Sequence, residues 1–151
     1  MTIKAVIRKG NFGDLAAIYA LVVELAIYER EPQAVTATIR DYEQDFEAKV
    51  FDFLVAESDG VVVGMALYYM AYSTWKGKML YLEDFVVKES ARGSGVGQLL
   101  FDAFLGEAKG LGARLAKWQV LDWNEPALAF YEKNKATIEK NWWNGKMSFG
   151  K

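Results

Sequence analysis

The chain has 151 residues, 52% hydrophobic and 25% charged, with a net charge of -2 and neither cysteine nor histidine. That length holds one domain with a substantial core, and the two zeros exclude a Ser-His-Asp triad, a thiol nucleophile, a disulfide and the usual zinc sites. The mild acidity argues against a protein that lives on phosphate backbones and leaves room for a cationic partner.

The opening "MTIKAVIRKG" alternates as a strand over residues 3–8 and lacks the apolar run and cleavage site of a signal peptide. No segment reaches the ~20 apolar residues of a membrane span, so a cytoplasmic protein is expected. Asp14 then opens a helix to about Tyr28, with Leu15, Ile18, Val22 and Leu25 at helical spacing. "YEREPQAV" is a loop, because Pro32 forbids smooth continuation, and 38–48 is a short second helix. "FDFLVAES", Asp59-Gly60 and "VVVGMALYYMAY" form a strand, a two-residue turn and a longer strand, the strongest hairpin signal in the chain. A further strand covers 79–88. Val96, Leu99, Leu100, Ala103 and Phe104 then make one apolar stripe of a helix pressed onto a sheet. Residues 115–121 read as a fifth strand, "NEPALAFYEKN" as a short helix with Pro126 in its first turn, and "ATIEKNWW", Asn144-Gly145, "KMSFG" as a closing hairpin. The order βααβββαβαββ implies an α/β, or α+β layered, fold: one domain over 1–151 with a mixed sheet and helices on both faces.

Between the fourth strand and the stripe helix lies "ARGSGVGQ". Gly93, Gly95 and Gly97 let the backbone turn tightly with several N–H groups facing one point, and the helix start adds its positive dipole end. Arg92 at the mouth supplies a full charge and a two-pronged donor suited to a pyrophosphate. A Walker A loop would need Gly-Lys-Ser/Thr where Gly97, Gln98 and Leu99 stand, and a dinucleotide fingerprint would follow a first strand. A glycine turn with no ligand is the plain alternative.

With "LEDFVV" before it and "NEPALAFY" after it, "RGSGVG" resembles the GNAT superfamily of acyl-CoA-dependent N-acetyltransferases, and within it the spermidine/spermine (diamine) branch. "ELAIYE" and "ALYYMAYSTWKGKMLYLEDFVV" extend the likeness over nearly the whole chain. The resemblance implies a mostly antiparallel sheet splayed between the fourth and fifth strands, with acetyl-CoA in the opening. It places the pyrophosphate on Arg92, Gly93, Ser94, Gly95, Val96, Gly97 and Gln98. It pairs the pantetheine arm with the backbone of Phe85, Val86 and Val87, and adds Asn124, Glu125, Pro126 and Ala127 as cofactor contacts. No metal is implied.

Acetyl transfer from a thioester to an amine needs a neutral amine, but a free alkyl ammonium has a pKa near ~10.4, so a base must remove a proton. Glu83 and Asp84 are neighbours on a strand, so their side chains are expected on opposite faces with only one facing the cleft. By resemblance that one is Glu83, acting through water. The departing thiolate needs a proton donor, and Tyr131 matches the family's general acid; from its residues alone, "FY" would merely anchor a short helix. The acetyl group should pass directly to the amine, since no thiol is present to carry it.

By resemblance, Tyr28 and Glu29 with Lys117, Trp118 and Gln119 hold the amine beside Glu83, and Asp122 could add charge. Two departures bear on the substrate. Trp142 and Trp143 stand where the polyamine enzymes carry an acidic stretch, and Lys135 occupies the position of a glycine. Diamines, thialysine-like amino acids and other small primary amines therefore stay open beside spermidine, with a protein lysine or a non-catalytic acyl-CoA-binding sensor as alternatives. The resemblance also implies a homodimer, while the mild acidity and the lack of an apolar span lead us to expect neither a nucleic-acid nor a membrane partner.

Overall fold

The structure is a computed structural model describing residues 4–150, so Ile3, the expected first residue of the first strand, lies outside the described residues. The chain divides into two compact units, Met1–Gln119 and Val120–Lys151.

The first unit carries a five-stranded sheet in the order β1-β2-β3-β4-β5. Its strands are β1 (Val6–Lys9), β2 (Asp52–Ser58), β3 (Val61–Ser73), β4 (Gly77–Val87) and β5 (Leu115–Trp118). Every pairing is antiparallel except β4 with β5, which is parallel because α3 (Val96–Gly110) makes the crossover between them. The Asp59-Gly60 turn forms as its sequence demands, both residues having positive φ, 51° and 75°.

Alternation along the strands sorts side chains to two faces. On one face α1 (Leu15–Tyr28) buries Leu15, Ile18 and Leu21 against Phe53, Val55, Met65, Leu67 and Val86. The short helix α2 (Ile39–Glu47) adds Tyr42 and Phe46 to the same cluster. Asp14, the expected start of the first helix, closes a short turn ahead of α1; it is buried and takes a hydrogen bond from Arg8 Nη1 at 2.8 Å, which holds its carboxyl below the usual range. On the other face α3 buries Val96, Leu100, Phe101 and Phe104. It can come this close because Gly64 of β3 lacks a side chain: a Cβ there would sit 2.9 Å from Leu100 Cδ1 and 3.1 Å from the Val86 carbonyl.

The expected closing hairpin over 136–150 does not form; among the described residues no strand follows β5. Neither Asn144 nor Gly145 takes the positive φ that a two-residue hairpin turn needs, and a two-stranded hairpin with no sheet to join is marginal by itself. The fifth strand also ends at Trp118, not at Leu121.

Candidate active site

The sheet opens where the sequence placed the opening. The β4–β5 register runs from Met79↔Leu115 to Leu82↔Trp118 and stops, while β4 continues to Val87 beside β3. Residues 83–87 thus present one edge with no β5 partner, a row of backbone donors and acceptors that an extended amide-bearing arm could pair with. Phe85 and Val86 are committed elsewhere by their side chains. Phe85 lies 5.9 Å from the Phe101 ring, and Val86 is buried against α1.

The elbow follows directly. Gly93 and Gly95 have φ of 75° and 90°, the left-handed region where a side chain is strained, and open space surrounds the position of a Cβ at both. Gly97 differs from this pattern. It lies in the first turn of α3, where a Cβ would meet Val87 and Phe85 at ordinary contact distance. Ser94 Oγ donates to the Ala91 carbonyl, so its hydroxyl braces the loop and leaves the main chain to face outward. Helix α3 starts directly after Gly95, so the positive end of its dipole lies at the elbow. Arg92 donates from Nε to the Val87 carbonyl at 3.0 Å, and its guanidinium carbon sits 5.6 Å from the Tyr28 ring centre.

One expectation about the base is corrected. The β3–β4 register passes from Leu67↔Asp84 to Tyr68↔Leu82, leaving Glu83 as the extra residue of a β-bulge. The bulge cancels one step of alternation, so Glu83 and Asp84 lie on the same face, that of α1, and not on opposite faces. Tyr69 and Tyr81 stack there with ring centres 5.4 Å apart, and Tyr69 Oη donates to Glu83 Oε1 at 3.1 Å. Burial first, then the charges of Glu83 and Glu29, push the Asp84 carboxyl up to about 7. Glu29, just past the end of α1, is itself pushed up by burial. Tyr42 of α2, raised to about 12 chiefly by burial and then by the charge of Asp84, completes the surroundings. The first unit therefore gathers three carboxylates among tyrosine rings. No sequence signal marks Asp84, Tyr42 or Tyr69 for this place, because a bulge without glycine leaves no trace in the periodicity.

The expected trio on β5 is split. Lys117 pairs in register with Tyr81 and shares its face, whereas Trp118 points to the α3 side, edge-on to Phe101 at 5.5 Å. Gln119 lies beyond the strand.

In the second unit, α4 (Glu125–Lys133) begins where Asn124 Oδ1 accepts from the Ala127 amide at 3.3 Å, with Pro126 in the first turn. Glu125 and Asp122 are exposed. Tyr131 is 6% exposed, and burial pushes its phenol up to about 12, so it keeps its proton throughout the neutral range.

A model of the acetyltransferase (GNAT) family matches residues 15–135. This chain belongs to the GNAT acetyltransferase family. It is an acetyltransferase, and such enzymes draw the acetyl group from acetyl-CoA. The chain is 36% identical over 136 residues to a Bos taurus thialysine N-epsilon-acetyltransferase, covering 83% of this chain and 80% of that one. It is 31% identical over 148 residues to a Homo sapiens spermidine/spermine N(1)-acetyltransferase-like protein, covering 90% of this chain and 21% of the relative. In fold it is similar, with a TM-score of 0.80 at 18% identity and 97% of both chains covered, to an aminoglycoside acetyltransferase from an uncultured soil metagenomic sample.

Lys135, standing where the resemblance expected glycine, has φ of 62°. The Ala136 amide donates to the Tyr131 carbonyl at 3.0 Å across it, a helix stop that favours glycine. Replacing Lys135 with Gly should therefore stabilise the protein by up to about 1 kcal/mol, since left-handed backbone costs an L-residue roughly that much. Urea unfolding checks this, and a loss of stability would contradict it.

Proposed function

We propose that the protein transfers acetyl directly from acetyl-CoA to a primary amine of a small di- or polycationic molecule, a diamine or thialysine-like amino acid. The observation that carries this is the carboxylate group Glu29, Glu83 and Asp84 among tyrosine rings, which suits an ammonium-bearing chain through both charge and ring faces. The similarity to thialysine and spermidine/spermine acetyltransferases supports the same class.

In this reading the Glu83–Asp84 pair takes the amine proton; a carboxyl poised near 7 is matched to a base working at neutral pH. The elbow from Arg92 to Gln98 holds the diphosphate, the backbone of 85–87 holds the pantetheine arm, and residues 124–127 add contacts. Tyr131 donates to the sulfur as the C–S bond breaks and the C–N bond forms. Tyr28, Glu29 and Lys117 contact the amine, whereas Trp118 acts from beneath.

A thiol-release panel over spermidine, spermine, short diamines, thialysine, lysine and a lysine peptide tests the proposal. Turnover of free di- or polyamines or thialysine is expected. Exclusive use of the peptide, or silence across the panel with CoA still bound, would overturn it in favour of a protein acetyltransferase or a sensor.

The same reading places one N-acetyltransferase domain over 1–151 in a cytoplasmic homodimer with no nucleic-acid or membrane partner. Trp142 and Trp143, 70% and 96% exposed, support the dimer as apolar surface that a second copy would cover. No helix among the described residues is long and apolar enough to cross a membrane.

A further inference from the structure

Arg92 belongs to the elbow, yet its side chain reaches to the far end of α1. Its guanidinium lies on the Tyr28 ring at 5.6 Å, and Nη2 is 3.9 Å from Glu24 Oε1, one turn earlier on the same helix. Tyr28 is the last residue of α1 and Glu29 the next, and the charge of Glu29 is felt at Asp84. The elbow is therefore linked through Arg92 and Tyr28 to Glu29, the next residue, whose charge acts on Asp84.

We propose that Tyr28 is a positioning residue through which Arg92 couples the two substrates, so that a diphosphate on the elbow and a cationic amine at Glu29, Glu83 and Asp84 strengthen each other's binding. The inference rests on the proposed function for what each place holds. Geometry decides the sign. The guanidinium carbon stands 5.6 Å from the Tyr28 ring centre and Nε donates to the Val87 carbonyl, while Nη2 faces Glu24 at 3.9 Å, too long for a hydrogen bond, so the Nη donors can turn to a stronger anion. An anion can take those donors without displacing the ring. Once its charge is pinned there, Arg92 fixes the end of α1 that carries Glu29, and the ordering need not be repeated when the amine arrives. Linkage makes the effect equal in both directions.

The test is calorimetric titration of CoA, which lacks the acetyl group and cannot turn over, with and without saturating spermidine, repeated with thialysine. In the unaltered protein the amine should tighten CoA by about two- to fivefold, the size of one exposed cation–π contact. Tyr28→Leu, measured with the amine raised until its own weakened site is saturated, should reduce that ratio to one. Tyr28→Phe, which keeps the ring, should restore the ratio. A merely structural role for Tyr28 would alter affinities without erasing their dependence on each other. A ratio of one with both amines, or an unchanged ratio in Tyr28→Leu, overturns the coupling and leaves the acetyltransferase proposal intact. Failure of CoA to bind at all would overturn both.

Discussion

Asp84→Asn is expected to lower kcat/KM at neutral pH by a factor on the order of 10²–10⁴, the range for a removed general base, and at the same time to make the protein more stable in alkaline solution. Both effects follow from one cause. Asp84 is held away from water beside Glu83 and Glu29, which pushes its carboxyl from 3.8 up to about 7. The folded state therefore prefers the protonated form. Between those two values the native protein binds more protons than the unfolded chain, so stability falls as pH rises. The stabilising contribution is fully present below about 3.8 and is gone above about 7. At about 1.4 kcal/mol per pKa unit the wild-type penalty near pH 8 is on the order of 4 kcal/mol. Asn has no charge to bury, so the melting temperatures of the two proteins should coincide near pH 4 and separate by several degrees near pH 8. Thermal unfolding at the two pH values, beside thiol-release kinetics, measures both halves. A variant that loses activity and is equally destabilised at both pH values would show that Asp84 is only a structural residue.

Tyr131→Phe carries the second large effect. Tyr131 is 6% exposed and its phenol is pushed up to about 12, so it stays protonated at neutral pH, as the proposed role toward a departing thiolate requires. Complete transfer to a thiol of pKa near ~8.5 would run uphill; in the proposed reaction the gain would come from a hydrogen bond to the negative charge developing on sulfur, which strengthens only as the bond breaks. Phe fills the same space without the donor. Turnover should fall on the order of 10²–10⁴-fold while CoA affinity changes little. Because the phenol does not titrate between about pH 6 and 9, the loss should be the same at every pH in that interval, unlike the loss in Asp84→Asn. Rapid-mix kinetics with matched CoA titrations decide the matter. Equal losses in turnover and CoA binding would reassign Tyr131 to the frame of α4.

The glycine pattern of the elbow was legible in the sequence because Gly93 and Gly95 are needed by the backbone itself, at φ of 75° and 90°. The stripe helix and the strand after it were legible too, since an apolar stripe after an elbow leaves a helix no place except on a sheet, whereas the parallel sense of that strand and its end at Trp118 were not. The final hairpin misled. Asn144-Gly145 has the composition of the Asp59-Gly60 turn, but the latter stands between strands that already have neighbours in the sheet, β1 beside β2 and β4 beside β3. Turn chemistry proposes a pairing, and only a sheet to join makes it stable.

The sequence by itself determined which chemistries were possible: no thiol, no imidazole, an elbow able to hold an anion, carboxylates for a base and a phenol for an acid. Those are properties of residue types and local backbone, which the chain carries in any conformation. Only the tertiary structure decided which side chains meet. The bulge at Glu83 turned two expected opposites into neighbours on one face, and the packing of α1 and α2 over that face removed enough water to bring Asp84 to about 7. The reason is physical: strand register and desolvation depend on partners distant in sequence, and no local pattern records them.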